Sequence, residues 1–235
     1  MGQDYSEVVE RLQAYRRVQR RTQEEMSAVM GVTQSHYAKL ESGANIISYD
    51  CLKRFEKSGG DIHFLITGQH LQPGPLDYYM EQCRTEKGRL QMFRFVLWIV
   101  NLGLNLEHET GPRLPESVYK NLILAQMEQD KPENIWKRIR KLDDITQLQM
   151  AEILGMNIKR YIRLEKEVIR PDAEILHRLY SRLFYAPLLV LKPSYYYLQE
   201  SNEIWESLNK DIKEDLMPML VRAAELIRDS EESEL

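Results

Sequence analysis

The chain has 235 residues, of which 43% are hydrophobic and 29% are charged, and its formal net charge is −4. This balance is typical of a globular protein with one large domain or two small ones. The negative total argues against a protein that coats nucleic acid without regard to sequence. The most apolar run, residues 95–104, is about half as long as a membrane-spanning helix. The N-terminus is polar and lacks a signal-peptide core, so we expect a soluble, cytoplasmic protein without a membrane partner.

The charge is unevenly distributed along the chain. Residues 135–170 contain nine Lys or Arg against five Asp or Glu, whereas residues 199–235 contain four against eleven. Five arginines crowd the first predicted helix and the turn after it: Arg11, Arg16, Arg17, Arg20 and Arg21. This arginine cluster forms either a solvated face or part of a positive rim for DNA. The two cysteines, Cys51 and Cys83, lie in apolar segments and are expected to be small buried residues.

The N-terminal part predicts a helix over 5–19 and then a pair of short helices. Thr22 and Glu25 have capping-box spacing, which begins a helix, and Gly31 ends it because glycine adopts left-handed dihedrals without a Cβ clash. Thr33 caps the next helix. Two short helices around a tight glycine-containing turn predict a helix-turn-helix. Further helices are predicted over 49–57 and 61–68.

Residues 72–131 predict a helical connector. The sequence QPGP breaks the chain, and one helix is then expected from Leu76 to about Asn105. Pro115 suits the first position of another helix to about Gln129. Beyond residue 193, a C-terminal tail predicts one or two amphipathic helices interrupted near Pro218.

An internal repeat is the most informative feature of the sequence. Residues 21–43 align without a gap on residues 145–167, at an offset of 124, with seven of 23 positions identical. The identities fall on positions that set the geometry of a helix pair, such as Gly31/Gly155 and Tyr37/Tyr161. A duplicated structural unit predicts this pattern.

The sequence TQEEMSAVMG, the following YAKLE and the later HFLITG resemble the Cro/cI-type (XRE-family) helix-turn-helix domain. The resemblance covers roughly residues 5–68 and 133–192. It implies an all-α protein with two lambda-repressor-like five-helix DNA-binding domains joined by the connector and followed by the tail. The expected boundaries are 1–71, 72–131, 132–192 and 193–235.

The family places the second helix of each pair in the DNA major groove. In the first domain, whose recognition helix is at about 33–41, the resemblance implies base contacts from Gln34, Ser35 and Lys39. It implies phosphate contacts or orienting bonds from Gln23, Thr33 and His36. The residue chemistry is suitable, because Gln can pair with adenine and Lys can donate to guanine. Gln23 follows a helix cap, where backbone N–H groups favour phosphate.

In the second domain, with its recognition helix at about 157–165, the corresponding set is more basic. The reading positions hold Ile158, Lys159 and Arg163, and Gln147, Asn157 and Arg160 lie beside them. This domain also departs from the family pattern. Glu167 stands where Gly43 stands in the first domain, and Ile158 replaces a polar reader. The first domain has Ile47 where the family often has the proline that the second keeps as Pro171.

We therefore predict a sequence-specific, double-stranded-DNA-binding transcription regulator, a repressor, without cofactors. Motifs for a phosphate-binding loop, a nucleophile elbow or zinc are missing, so we do not expect an enzyme. A homodimer is expected through residues 76–105 or the C-terminal helices, although these apolar residues could instead pack the two domains together.

Three alternatives stay open. The second domain could serve only dimerisation or partner binding, the connector could sense a peptide or small-molecule effector, or the chain could be an antirepressor-like protein-binding module.

Overall fold

A computed structural model describes residues 5–71, 73–107, 134–191 and 193–233, and every regular element in these ranges is a helix. The all-α prediction is thus confirmed for these residues, while the helix predicted over 115–129 lies outside them. The chain forms two compact units, one from its residues up to 71 and from 134 to 191, the other from the remainder. None of the described helices is long and apolar enough to cross a membrane.

The first unit contains two sets of five helices. The first set is α1 (Ser6–Val18), α2 (Gln23–Met30), α3 (Gln34–Glu41), α4 (Tyr49–Lys57) and α5 (Ile62–Thr67). In the second unit, α6 (Asp77–Glu81) and α7 (Glu86–Glu107) follow. The second set is α8 (Ile135–Leu142), α9 (Gln147–Ile153), α10 (Ile158–Glu165), α11 (Ala173–Leu183) and α12 (Pro187–Leu191). The second unit ends with α13 (Pro193–Ser207) and α14 (Lys210–Ser233).

Side-chain caps begin α2, α3, α4 and α5 of the first set. Thr22 and Glu25 form the predicted capping box at α2, and Thr33 accepts the backbone N–H of His36 at the start of α3. Ser48 and Asp61 cap α4 and α5 in the same way. Each cap satisfies a backbone donor that has no partner within the helix, so these polar residues fix where the helices start.

The second set begins its helices with corresponding caps. Thr146 and Gln149 form a capping box at α9, and Asn157 accepts the N–H of Arg160 at α10. Asp172 caps α11 at the position that corresponds to Ser48. The local rules that shape α2–α4 therefore also shape α9–α11.

The buried core of the first set extends into α11 of the second set. Ala173 and Leu176 of α11 belong to the same buried cluster as Leu65 and Ile66 of α5. The backbone N–H of Ala173 donates to the carbonyl oxygen of Ile47 over 2.9 Å. The helices of the two sets are thus packed together as one unit, a packing that the sequence pattern did not reveal.

The second unit is built around α7, whose apolar face packs against α13 and α14. Met92, Val96, Ile99 and Val100 are fully buried on this face. The apolar residues that suggested a dimer helix therefore pack within the unit. The homodimer stays a prediction, and one through α7 would have to use its partly exposed side chains. Cys83 of this unit and Cys51 of the first are buried free thiols, as predicted.

Two predicted helix boundaries in this unit are wrong. The single helix expected over 76–105 is divided between α6 and α7, because the Glu231 carboxylate accepts the backbone N–H groups of Arg84 and Thr85, at 3.0 and 2.9 Å. The break in the tail lies at residues 208–209, where Asn209 accepts the N–H of Asp211, and not near Pro218. Pro218 is exposed within α14.

Candidate nucleic-acid interface

The helix pair of the first set is held by the carboxylate of Glu41, which is only 4% exposed. Arg16 Nε donates to it at 2.6 Å, Gln23 Nε2 at 2.9 Å and the Tyr37 hydroxyl at 2.8 Å. Burial alone would raise the pKa of Glu41, but the bonds from Arg16, Gln23 and Tyr37 outweigh it and the pKa is lowered. The ionised carboxylate thus joins α1, α2 and α3 at one point.

The second set repeats the arginine and glutamine contacts 124 residues later, but the buried Tyr161 hydroxyl, which corresponds to that of Tyr37, makes no hydrogen bond to the carboxylate. Arg140 Nε donates to Glu165 at 3.0 Å, and the Gln147 amide also donates to this carboxylate. Glu165 is buried at the C-terminal end of α10, as Glu41 is at the end of α3. The angle between the two helices of each pair is therefore fixed by equivalent polar contacts.

Corresponding residues also take the left-handed backbone conformation. Gly31 and Gly155 have φ of 65° and 64° in the helix-pair turn, and Arg20 and Asp144 have φ of 53° and 51° before the pair. After the pair, Gly43 has φ of 72° and Glu167 has φ of 57°. The backbone keeps its path even though Glu167 replaces a glycine, at a steric cost of about 1–2 kcal/mol.

An arginine closes each turn between the paired helices, and sequence reasoning missed both. Arg54 Nη1 donates to the carbonyl oxygen of Gly31 at 2.9 Å, and Arg178 Nη1 donates to that of Leu154 at 2.9 Å. A Cβ on Gly31 would lie 1.5 Å from Arg54 Nη1, so the arginine would have to move, while the φ of 65° itself favours glycine. The sequence did contain a sign of this shared role, because both residues are arginine and their numbers differ by the repeat offset of 124.

The structure places the predicted first-set base readers on an open surface. Gln34, Ser35 and Lys39 are exposed on α3, and His36 is exposed beside them. Thr33 is also exposed, and its hydroxyl accepts the His36 N–H at 3.2 Å. These five side chains lie together at α3, with polar atoms available to a ligand.

Gln23 lies apart from this exposed group, because its amide nitrogen is bound to Glu41 and its side chain is partly buried. In the structure the Gln23 amide makes an orienting bond within the helix pair, and its contact with phosphate stays a prediction. The orienting bond is one of the two roles that the resemblance implied for Gln23, and its counterpart Gln147 is bound to Glu165 in the same way.

In the second set, Ile158, Lys159, Arg160 and Arg163 are exposed on α10. Asn157 is exposed as well and accepts the Arg160 N–H at 2.9 Å. The guanidinium of Arg160 forms an ion pair with Asp172 at 2.8 Å, which neutralises part of the local positive charge. Lys159 and Arg163 are therefore the cations of this helix that are best placed for a polyanion.

The second-set surface is also more apolar than the first. Leu148 is 53% exposed, Ile158 is 38% exposed and Val168 is 63% exposed. The corresponding first-set residues are Glu24, Gln34 and Ala44. The two sets thus have the same helix arrangement but different exposed side chains at equivalent positions.

Four of the five members of the arginine cluster divide into two groups in the structure. Arg11 donates to the Leu65 and Ile66 carbonyl oxygens, and Arg16 binds Glu41, so these two support the fold. Arg17 and Arg20 are exposed near the start of the helix pair. Only part of the cluster is thus positioned for contact with a partner.

The first helix pair lies within a match to a known protein family. Residues 12–58 match the helix-turn-helix family, and this range runs from within α1 to just beyond α4. The match supports an XRE-type helix-turn-helix domain in this part of the chain and indicates a DNA-binding transcriptional regulator. No curated protein and no solved structure matches the chain in the corresponding searches.

Proposed function

We propose that the protein is a non-enzymatic, sequence-specific DNA-binding repressor that reads DNA with both α3 and α10. The single observation that carries the proposal is the exposed polar surface of α3, held by the buried Arg16–Glu41 contact and recurring in form at α10 with Arg140–Glu165. Under this proposal the second set is a second helix-turn-helix domain.

The first domain has side chains for both base and phosphate contacts. Gln34 offers a donor and an acceptor, which suits the N6 and N7 positions of adenine, and Lys39 can donate to guanine O6 and N7. Arg17 and Arg20 are exposed cations that can neutralise phosphates. The domain therefore combines sequence readout with sequence-independent affinity.

The second domain would read a different sequence. Lys159 and Arg163 are exposed donors for guanine or phosphate. Ile158 can make an apolar contact with the methyl group of thymine, which gives its exposed position in α10 a function. DNA reading by the second domain is supported by its helix-pair arrangement and its positive charge, since the family match covers residues 12–58 alone.

Selection of bound duplexes from a random library would identify the site, and two double variants would then assign the reading helices. We expect Q34A/K39A and K159A/R163A each to weaken binding to the selected site by at least about tenfold, since a good base contact contributes about 1–3 kcal/mol. The double variant K57A/Q69A is the matched control, because Lys57 and Gln69 are exposed and outside both helix pairs. Failure of both reading variants to weaken specific binding would refute the proposal.

A second candidate function is favoured by the exposed Leu148, Ile158 and Val168 of the second set. In that case the first domain alone reads DNA, and the second set binds a protein partner. The same experiment separates the candidates, since only Q34A/K39A would then weaken DNA binding. The homodimer, the effector and repression itself remain predictions, and repression is checked with a promoter reporter that carries the selected site.

A further inference from the structure

We infer that the two helix pairs bind one DNA duplex as a fixed pair, so that a single chain reads two unlike half-sites at one set spacing. The inference rests on the proposed function and deepens it, because it specifies the architecture of the DNA site. It is argued from the contacts between the two sets, which belong to the same compact unit.

The contacts between the sets, which we call the seam, include buried hydrogen bonds. The N–H of Ala173 donates to the carbonyl oxygen of Ile47 over 2.9 Å, and both residues are fully buried. His177 Nδ1 lies 3.0 Å from the carbonyl oxygen of Ile66, also in a buried setting. If the two sets shifted so that these bonds broke while the groups stayed buried, the polar groups would be left unsatisfied, which is costly.

The seam also contains a continuous apolar core. Ala173 and Leu176 lie in one buried cluster with Leu65 and Ile66, and the partly buried Val190 and Leu191 pack against that cluster. Domains joined only by a linker would have separate cores and move freely. The packing of α11 and α12 against the first-set core instead sets α3 and α10 at one mutual orientation.

Equivalent segments of the two sets meet at the seam. Residues 46–49 correspond to residues 170–173 at the offset of 124. Ile47 contacts Ala173 through the backbone, and the Arg170 guanidinium lies 5.6 Å from the centre of the Tyr49 ring. When the same patch is used by both partners, the arrangement is approximately two-fold.

A two-fold relationship has a direct consequence for helix-turn-helix proteins. In such dimers the symmetry places two recognition helices in successive major-groove turns on one side of the duplex, about 10 bp apart. The seam provides this relationship within one chain. The site that we expect is therefore bipartite, with half-site centres separated by about one helical turn.

The two half-sites should differ in sequence, because the two helices present different side chains. Gln34 and Ser35 on α3 correspond to Ile158 and Lys159 on α10. A symmetric dimer of identical domains selects a palindrome, whereas two helices with different side chains select two different half-sites. The selected site should thus be asymmetric.

A spacer series on the selected site tests the inference with the full-length protein. Four duplexes are compared: the selected site, the same site with 5 bp or 10 bp inserted at its centre, and one half-site beside scrambled sequence. We expect both insertions to reduce the affinity about 100-fold, to the level of the single half-site, because the pair cannot extend and the effective concentration of the second domain is lost.

The outcomes separate this inference from the proposed function. Binding that is unaffected by either insertion, or that recovers at 10 bp, would show a flexible connection and overturn the inference alone. One chain bridging two duplexes, detected by its mass in native mass spectrometry, would also overturn it. If the library yields no selected site, the proposed function fails, and the inference fails with it.

Discussion

The backbone N–H of Ala173 and the carbonyl oxygen of Ile47 form a buried 2.9 Å hydrogen bond between residues 126 positions apart in the sequence. Ala173 is the first residue of α11, and Ile47 lies just before α4. One bond thus joins the starts of two equivalent helices. The bond helps to hold the two helix pairs in one position relative to each other.

Replacing Ala173 by proline tests this bond with little effect on α11 itself. Proline is tolerated at the first position of a helix, and Asp172 before it has the extended conformation that proline requires. The loss of the N–H leaves the Ile47 carbonyl unsatisfied, so we expect A173P to lower the free energy of unfolding by about 1–3 kcal/mol.

The measurement is urea unfolding followed by circular dichroism. K210P is the matched control, because Lys210 is the first residue of α14 and is exposed. Equal loss of stability in A173P and K210P would contradict a stabilising role for the Ala173–Ile47 bond.

Removal of the Glu41 carboxylate should be strongly destabilising. The side chains of Arg16 and Glu41 are 18% and 5% exposed, and E41A would leave the arginine without its buried partner. Loss of one member of a buried ion pair costs about 3–5 kcal/mol. E214A is the control, since the Lys210–Glu214 pair is exposed and contributes at most about 1 kcal/mol. Similar unfolding midpoints for the two variants would contradict this assignment.

The same carboxylate should make stability depend on pH. The pKa of Glu41 is lower in the folded protein than its ordinary value of about 4.3, so its ionised form stabilises the fold above that value. This stabilisation is lost as the pH falls through the folded pKa. E41Q lacks the titrating group, so the stability difference between the wild type and E41Q should shrink between pH 6 and the acid limit of folding. A difference that stays constant with pH would contradict the prediction.

Glu167 offers a stabilising substitution. It holds a left-handed conformation, with φ of 57°, that glycine adopts at the corresponding position 43. E167G should raise the free energy of unfolding by about 0.5–1 kcal/mol, because relief of the steric strain exceeds the added entropy of the unfolded chain. K166G is the control, as Lys166 has φ of −86° and should be destabilised by glycine. Loss of stability in both variants would show that Glu167 is not strained.

The local structure of the helix pairs could be predicted from the sequence because its causes are local. Thr22 with Glu25 and Thr146 with Gln149 form capping boxes at the expected positions, and Gly31 takes the expected left-handed conformation. Each of these features depends on residues within three or four positions, which a sequence pattern contains directly.

The features that escaped prediction depend on residues far apart in the sequence. The division between α6 and α7 is caused by Glu231, which is 146 residues from Thr85. The seam depends on Ile47 and Ala173, and the local pattern of neither residue indicates a partner 126 positions away. The role of Gln23 was only partly predicted, since the burial of Glu41 that orients its amide appears only in the folded chain.

Hydroxyl-radical footprinting on the selected duplex tests the central claim most directly. If α3 and α10 of one chain read adjacent half-sites, the wild type should protect two regions about one helical turn apart on one side of the DNA. Q34A/K39A should lose protection of one region first, and K159A/R163A should lose the other first. A single protected region, affected by Q34A/K39A alone, would contradict the account.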